Sequence, residues 1–336
     1  MPVADVREIV PLPQSAQKTR ESALRQLSDI LIGADKRKII IAGPCSADSE
    51  DAVCDYACRL SRVAESIRDR AFVIVRVYTA KPRTHGSGYK GMYYNPDPVA
   101  DRADIENGIV ALRKMHVRVL CESGLITADE MLFPQITRYI DDVLGYAAVG
   151  ARSSDDQFHK LVASGLDIPI GIKNPLNGDL RALAGSLRTA QSANEFMFCG
   201  SQVATSGNAF AHAVLRGGVD SAGRHFSNSE TGDILRLKDE LSESGIVNPS
   251  AIVDVNHSNS GKDPFVQPDI MYKVLRGLRS APEANELVKG FMTESYIEDG
   301  KCAPDGGVYG KSITDACLGF EKTKQMLLRA ADEIVA

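Results

Sequence analysis

The chain has 336 residues, 43% of them hydrophobic and 25% charged, with 39 Lys and Arg against 44 Asp and Glu for a net charge of −5. That composition is globular and excludes a collagenous or disordered chain, and the slightly acidic balance argues against a general nucleic-acid binder. No apolar stretch approaches the roughly 20 residues of a membrane helix, and seven scattered cysteines without a CxxC pair fit a reducing, cytoplasmic setting with no disulfide scaffold.

In chain order, residues 1–36 stand apart from the rest of the chain. Val6–Val10 reads as a short strand, and Ala16–Leu31 sets Leu24, Leu27, Ile30 and Leu31 on one face of a helix. From Lys38 onward, short β-rich apolar runs alternate with amphipathic stretches. The runs are Lys38–Ala42, Phe72–Tyr78, Val117–Cys121, Ala147–Val149, Ile168–Ile172, Glu195–Cys199, Ala211–Leu215, Ile252–Val255 and Val288–Met292. Helix-like segments such as Ser49–Arg68, Asp101–Met115 and Phe158–Ser164 lie between them. The alternation implies a parallel sheet, because parallel strands need crossovers and these are usually helical. Nine runs are one more than a (β/α)8 barrel wants, so Glu195–Leu215 reads as a barrel strand plus a hairpin-like insertion. The predicted architecture is an N-terminal extension (1–36) serving assembly or regulation, followed by one α/β (β/α)8 TIM barrel (37–336).

Almost every run is followed at once by polar residues: Gly43-Pro44-Cys45-Ser46, Lys81-Pro82-Arg83-Thr84, Glu122, Arg152, Lys173, Arg216, His257 and Glu294. In α/β barrels the active site is built at that place. Arg76, Lys81, Arg83, Arg152, Lys173 and Arg216 at one mouth would repel one another unless an anion sits among them, and the planar fork of Arg suits phosphate and carboxylate. Any one of them taken singly is as well explained by a neighbouring Asp or Glu. Cys45, His257, Glu294 and Asp315 form a thiolate, imidazole and carboxylate set that suits Mn, Fe, Co or Zn better than Ca or Mg, although a buried Cys after a strand is usually inert packing. Cys54 and Cys58, at i and i+4 on a predicted helix, have no further ligand nearby and read as a packed face. His85, His159 and His225 read as loop residues facing water. Gly86-Ser87-Gly88 matches neither a P-loop nor a dinucleotide fingerprint, and no GxSxG elbow occurs.

At these same residues the sequence resembles the metal-dependent type I 3-deoxy-D-arabino-heptulosonate-7-phosphate (DAHP) synthases. The matching stretches are IAGPCS (41–46), VRVYTAKPRT (75–84), GYKGM (88–92), VGARSSDDQ (149–157), GIKNP (171–175), TSGN (205–208), LRGG (215–218), DVNHSNSGK (254–262), MTES (292–295) and YGKSITDAC (309–317). The resemblance implies a (β/α)8 barrel that condenses phosphoenolpyruvate with D-erythrose 4-phosphate and releases phosphate, at the entrance to the shikimate pathway. It implies one divalent metal ion (Mn, Fe, Co or Zn) on Cys45, His257, Glu294 and Asp315. Phosphoenolpyruvate contacts would be Arg76, Lys81, Arg152, Lys173 and Arg216; Arg83 and Thr84 would take the phosphosugar, with Lys90 also on the substrate side. Lys81, Lys173 and Glu122 are the candidates for proton handling. The resemblance further implies a homo-oligomer (dimer or tetramer) and an aromatic amino acid effector, with no nucleic-acid or membrane partner. Three departures stand out: Tyr89 replaces a Trp common in the family, the loop His85-Gly86-Ser87 is one residue longer, and the stretch Ile126–Phe133 is expanded. Four alternatives stay open: the same chemistry in a secondary-metabolite pathway, a 3-deoxy-octulosonate-8-phosphate synthase (against which KPRT speaks), a Schiff-base aldolase using Lys173, and an effector-binding barrel without turnover.

Overall fold

The computed structural model describes residues 1–83 and 88–334. Two helices come first, α1 (Val3–Ile9) and α2 (Gln14–Ile32). The strands are β1 (Lys38–Gly43), β2 (Ala71–Arg76), β3 (Thr127–Glu130), β4 (Tyr146–Val149), β5 (Ile170–Lys173), β6 (Asn194–Phe198), β7 (Ser201–Thr205), β8 (Ala211–Leu215), β9 (Gly218–Val219), β10 (His225–Phe226), β11 (Ala251–Asp254) and β12 (Val288–Glu294). Eight of them close a parallel barrel in the order β1-β12-β11-β8-β5-β4-β3-β2. The predicted barrel is therefore present, and β6 and β7 form the expected hairpin outside it. The outer layer is α3 (Glu50–Ser66), α4 (Ile105–Ser123), α5 (Thr137–Ile140), α6 (Gln157–Ala163), α7 (Leu180–Gln191), α8 (Thr231–Glu243), α9 (Gln267–Arg279), α10 (Pro282–Leu287) and α11 (Phe320–Glu333). Among the described residues no helix is long and apolar enough to cross a membrane.

Barrel strands buried on both faces read as continuous apolar runs, which is why KIIIAG and AFVIVR are legible. The chain leaves several strands through loops that end in an N-cap: Ser49, Asp104, Asp156 and Asp179 each accept a hydrogen bond from the first turn of the next helix. At the end of β1, a Cβ on Gly43 would lie 2.1 Å from the backbone oxygen of Arg76. Only glycine lets β1 and β2 approach so closely just before Cys45.

Three expectations are corrected. Val6–Val10 is not a strand: α1 runs over it, burying Val6, and Pro11 and Pro13 stop the helix because a residue before proline is disfavoured in the α region. Val117–Cys121 is the C-terminal part of α4, whose apolar residues Val117, Val119 and Leu120 face the core. The third barrel strand is instead the polar segment Thr127–Glu130. It is buried because its polar groups pair with other buried ones: His116 Nδ1 lies 2.8 Å from Thr127 Oγ1 and Nε2 lies 3.2 Å from Asp129 Oδ2, while the Thr79 amide donates to Asp129 Oδ1 at 2.9 Å. The third correction concerns His159, which is buried rather than facing water, with Nδ1 2.6 Å from Asp156 and Nε2 3.1 Å from the Leu132 carbonyl.

The apolar face of α2 is satisfied within the chain, with Leu27, Ile30 and Leu31 at most 1% exposed. Each such side chain contributes about 1.5–3 kcal/mol on burial. Arg20 ties the helix down by donating to the Leu144 and Asp141 carbonyls, both at 2.8 Å.

Inside the barrel, His212 lies between the Phe210 carbonyl, 2.8 Å from Nδ1, and the Tyr146 hydroxyl, 2.8 Å from Nε2. A carbonyl can only accept, so Nδ1 carries the proton and the tyrosine donates to Nε2. Burial pushes the imidazole pKa down to about 4. The unfolded chain therefore binds an extra proton between its ordinary value near 6.5 and about 4, and stability falls as pH drops through that window. The loss amounts to about 3 kcal/mol by the acid end. Urea unfolding of His212→Gln across that range should be flatter than for the wild-type chain; an equal slope would remove His212 from the acid response.

Candidate active site

The carboxyl ends of the strands converge on a cavity of about 800 Å³. Arg76, Lys173 and Glu294 are the last residues of β2, β5 and β12, and Arg216 comes directly after β8. Cys45, Lys81, Arg152 and His257 lie two to five residues beyond their strands, and Asp315 sits in the segment between β12 and α11. Seven Arg and Lys side chains line the cavity against two carboxylates, Glu130 and Asp315.

The cations at the wall are tethered from below. Arg76, 2% exposed, places Nη2 2.9 Å from Glu294 Oε1, donates from Nη1 to the Pro44 carbonyl and stacks 3.7 Å over the Tyr78 ring. Glu294 is buried, which alone would raise its pKa, but Arg76 above all, then His257 and Lys81, hold it below the usual carboxylate range. Its Oε2 accepts from Asn256 at 2.8 Å, and the Gln267 side chain receives its backbone amide at 2.9 Å. Lys173 Nζ lies 3.1 Å from Asp254 Oδ2, and His257 Nδ1 lies 2.8 Å from the same oxygen. His257 adopts φ of 48°, a left-handed conformation uncommon for a non-glycine residue, which turns its ring back over Asp254 and Glu294. Arg216 makes no ion pair among the described residues; its backbone amide is fixed by Asn174 Oδ1 at 3.0 Å, and burial first, then Arg152, depresses its pKa.

Cys45, Glu294 and Asp315 offer ligand atoms that all lie within 4.8 Å of one another. His257 adjoins this group with Nε2 3.6 Å from Glu294 Oε1. Its other ring nitrogen, Nδ1, lies 2.8 Å from Asp254 Oδ2 without hydrogen-bond alignment. The Lys81 ammonium stands 2.6 Å from Cys45 Sγ and 3.2 Å from Asp315 Oδ2, putting positive charge where the anionic groups converge. A thiolate, two carboxylates and the imidazole Nε2 beside them fit a borderline divalent metal.

The sequence candidates are thus mostly together, with three exceptions. Glu122 is on α4, exposed and ion-paired with Arg118 at 2.8 Å; it has no strand-end place because Val117–Cys121 is helical. Lys90 lines a neighbouring cavity, its Nζ 4.5 Å from the Tyr94 ring centroid. Thr84, with His85, Gly86 and Ser87, lies outside the described residues. Arg83 lines the main cavity and donates to the Tyr89 carbonyl at 2.8 Å. Sequence reasoning misses Asp254, Asn256 and Gln267. The available signal for Asp254 is an acid interrupting the apolar run Ile252–Val255, three residues before His257.

The model of the DAHP synthetase I family matches residues 13–328. The Tyr-sensitive phospho-2-dehydro-3-deoxyheptonate aldolase of Escherichia coli (strain K12) is 33% identical over 94% of this chain and 88% of its own length. The Phe-sensitive enzyme of that name from the same organism is 31% identical over 100% of this chain and 95% of its own. Among solved structures, phospho-2-dehydro-3-deoxyheptonate aldolase from Francisella tularensis SCHU S4 superposes with a TM-score of 0.92 at 28% identity, covering 99% of this chain and 96% of that one. The match spans extension, barrel and cation-lined mouth alike, and the chain belongs to the DAHP synthetase I family.

Proposed function

We propose that the barrel mouth binds phosphoenolpyruvate and D-erythrose 4-phosphate together and joins them into DAHP with release of phosphate. Membership of the family makes the chain a transferase, a 3-deoxy-7-phosphoheptulonate synthase of aromatic amino acid biosynthesis. The observation that carries the substrate assignment is the excess of seven cations over two carboxylates in one cavity, which calls for a polyanionic substrate pair.

Arg152, Lys173 and Arg216 hold the phosphate and carboxylate of phosphoenolpyruvate, with Arg76 and Lys81 at the inner edge and Arg83 toward the phosphosugar. Carbon 3 of phosphoenolpyruvate is a weak nucleophile, so its placement against the aldehyde carbon matters most; orientation can lower the barrier by roughly 7–11 kcal/mol. Burial would make the Lys81 ammonium a stronger acid, but Cys45, Glu294 and Asp315 more than offset this and raise its pKa. Lys81 Nζ, at the edge of that ligand group, is the donor toward the developing alkoxide. Lys173, held on Asp254, is the second proton-handling group. Cys45, His257, Glu294 and Asp315 hold a divalent ion of the Mn, Fe, Co or Zn kind, which when bound supplies Lewis-acid polarisation of the aldehyde. Relatives bear the names Tyr-, Phe- and Trp-sensitive, which supports an aromatic amino acid effector for this chain too. A cytoplasmic homo-oligomer, dimer or tetramer, with the 1–36 extension in assembly or regulation, completes the reading.

The test is phosphate release from phosphoenolpyruvate with several aldose phosphates, with and without chelator; turnover with the five-carbon sugar alone overturns the erythrose 4-phosphate assignment. Arg216→Lys should raise the apparent KM for phosphoenolpyruvate about tenfold to a hundredfold, the worth of a charged hydrogen bond of roughly 1.5–3 kcal/mol, with little change for the aldehyde. An unchanged KM removes Arg216 from that subsite.

A further inference from the structure

A second cationic cavity lies at the opposite end of the barrel. It measures about 360 Å³ and is bounded by the end of α2, the start of β1, and α10 with the start of β12. Its charged lining is Asp35, Lys36, Arg37, Lys38, Glu286 and Lys289. Asp35 is already taken by Arg37, whose Nε and Nη2 donate to Oδ2 at 2.9 and 2.6 Å. That leaves three lysines facing Glu286.

Two of these lysines are deep. Lys38, the first residue of β1, is 5% exposed and donates to the Asn285 and Val288 carbonyls at 2.9 and 2.5 Å, leaving a third N–H unused. Lys289 is 9% exposed and makes no hydrogen bond or ion pair among the described residues. Buried ammonium groups without counter-charge are costly, and such groups are ordinarily paired. We propose that this cavity is a binding site for a phosphate dianion, gripped by Lys36, Lys38 and Lys289. With all three lysines protonated, a dianion matches the surplus that remains after Glu286 is counted, whereas a monocarboxylate would leave one ammonium uncompensated. Burial, then repulsion from Lys289 and Lys36, depresses Lys38 to about 7, and burial and Lys36 lower Lys289 as well, so a bound dianion draws protons onto both. The bound anion joins the extension to β1 and β12, whose far ends lead to Cys45 and Glu294.

Two sources share this chemistry, free inorganic phosphate and a phosphomonoester. Acetic anhydride labelling of the full chain at neutral pH, mapped by mass spectrometry, tests the site separately from the catalytic lysines because Lys36 and Lys289 are resolved from Lys81 and Lys173. The arms are inorganic phosphate, glycerol phosphate and chloride at equal ionic strength. Labelling of Lys36 and Lys289 should fall several-fold with phosphate, with glycerol phosphate, or with both, and the arm that protects names the source. In Lys289→Met, turnover should persist while protection of Lys36 is lost. Equal labelling of Lys289 in all three arms overturns the site, as does undiminished protection of Lys36 in the variant.

Discussion

Replacing Cys45 by Ser should remove bound metal and lower turnover by about a thousandfold or more while leaving the fold intact. The thiol is fully buried, 2.6 Å from the Lys81 ammonium and 3.5 Å from Asp315 Oδ2. A serine hydroxyl fits the same space and can still meet Lys81, so packing is nearly preserved. The backbone amide of residue 45 keeps its contact with Cys317 Sγ at 3.3 Å. What is lost is the soft donor, and a hydroxyl is a far poorer ligand for a borderline metal. Lewis-acid stabilisation is worth several kcal/mol, and each 1.36 kcal/mol is about tenfold in rate. Metal content and phosphate release in the purified variant decide the matter, with circular dichroism as the check on folding. Full activity with no bound metal would contradict the ligand assignment.

The fold is legible where the physics is periodic and the site where charge interrupts it. KIIIAG and AFVIVR read as strands because both faces are buried, and the cations and ligands stand out because they close those runs. β3 is hidden because Thr127 and Asp129 are polar, and their burial is stabilised by partners on other elements, His116 on α4 and Thr79 after β2. No local pattern reports such pairing. Val117–Cys121 passes for that strand because a short apolar run is ambiguous between a strand and a buried helix face. The misreading carries Glu122 with it. Asn256 and Gln267 are invisible for a related reason: each is defined by a hydrogen bond to Glu294, from a loop and a helix far away in the chain.

Asp254 is the residue whose loss should reach furthest. Its carboxylate is fully buried, accepts the Asn256 amide at 3.0 Å, and faces both Lys173 and His257. Burial alone would raise its pKa, yet His257 and Lys173 together hold it well below the usual carboxylate range. Asp254→Asn keeps the shape and removes the charge, leaving the Lys173 ammonium, 3% exposed, without its counter-ion. Breaking one side of a buried pair costs about 3–5 kcal/mol. The same change frees Lys173 and His257 to drift from the positions proposed for them beside substrate and metal, so kcat should fall by about a hundredfold as well. The depressed pKa sets the sign in acid: the carboxylate stabilises the fold fully above the ordinary Asp value near 3.9, and that contribution is lost as pH falls below it. The variant should therefore be weaker than the wild-type chain at neutral pH and converge toward it in strong acid. Urea unfolding at pH 7 and pH 3, with phosphate release measured alongside, gives both readouts. Stability within about 0.5 kcal/mol of wild type together with an unchanged kcat would place Lys173 and His257 under some other control.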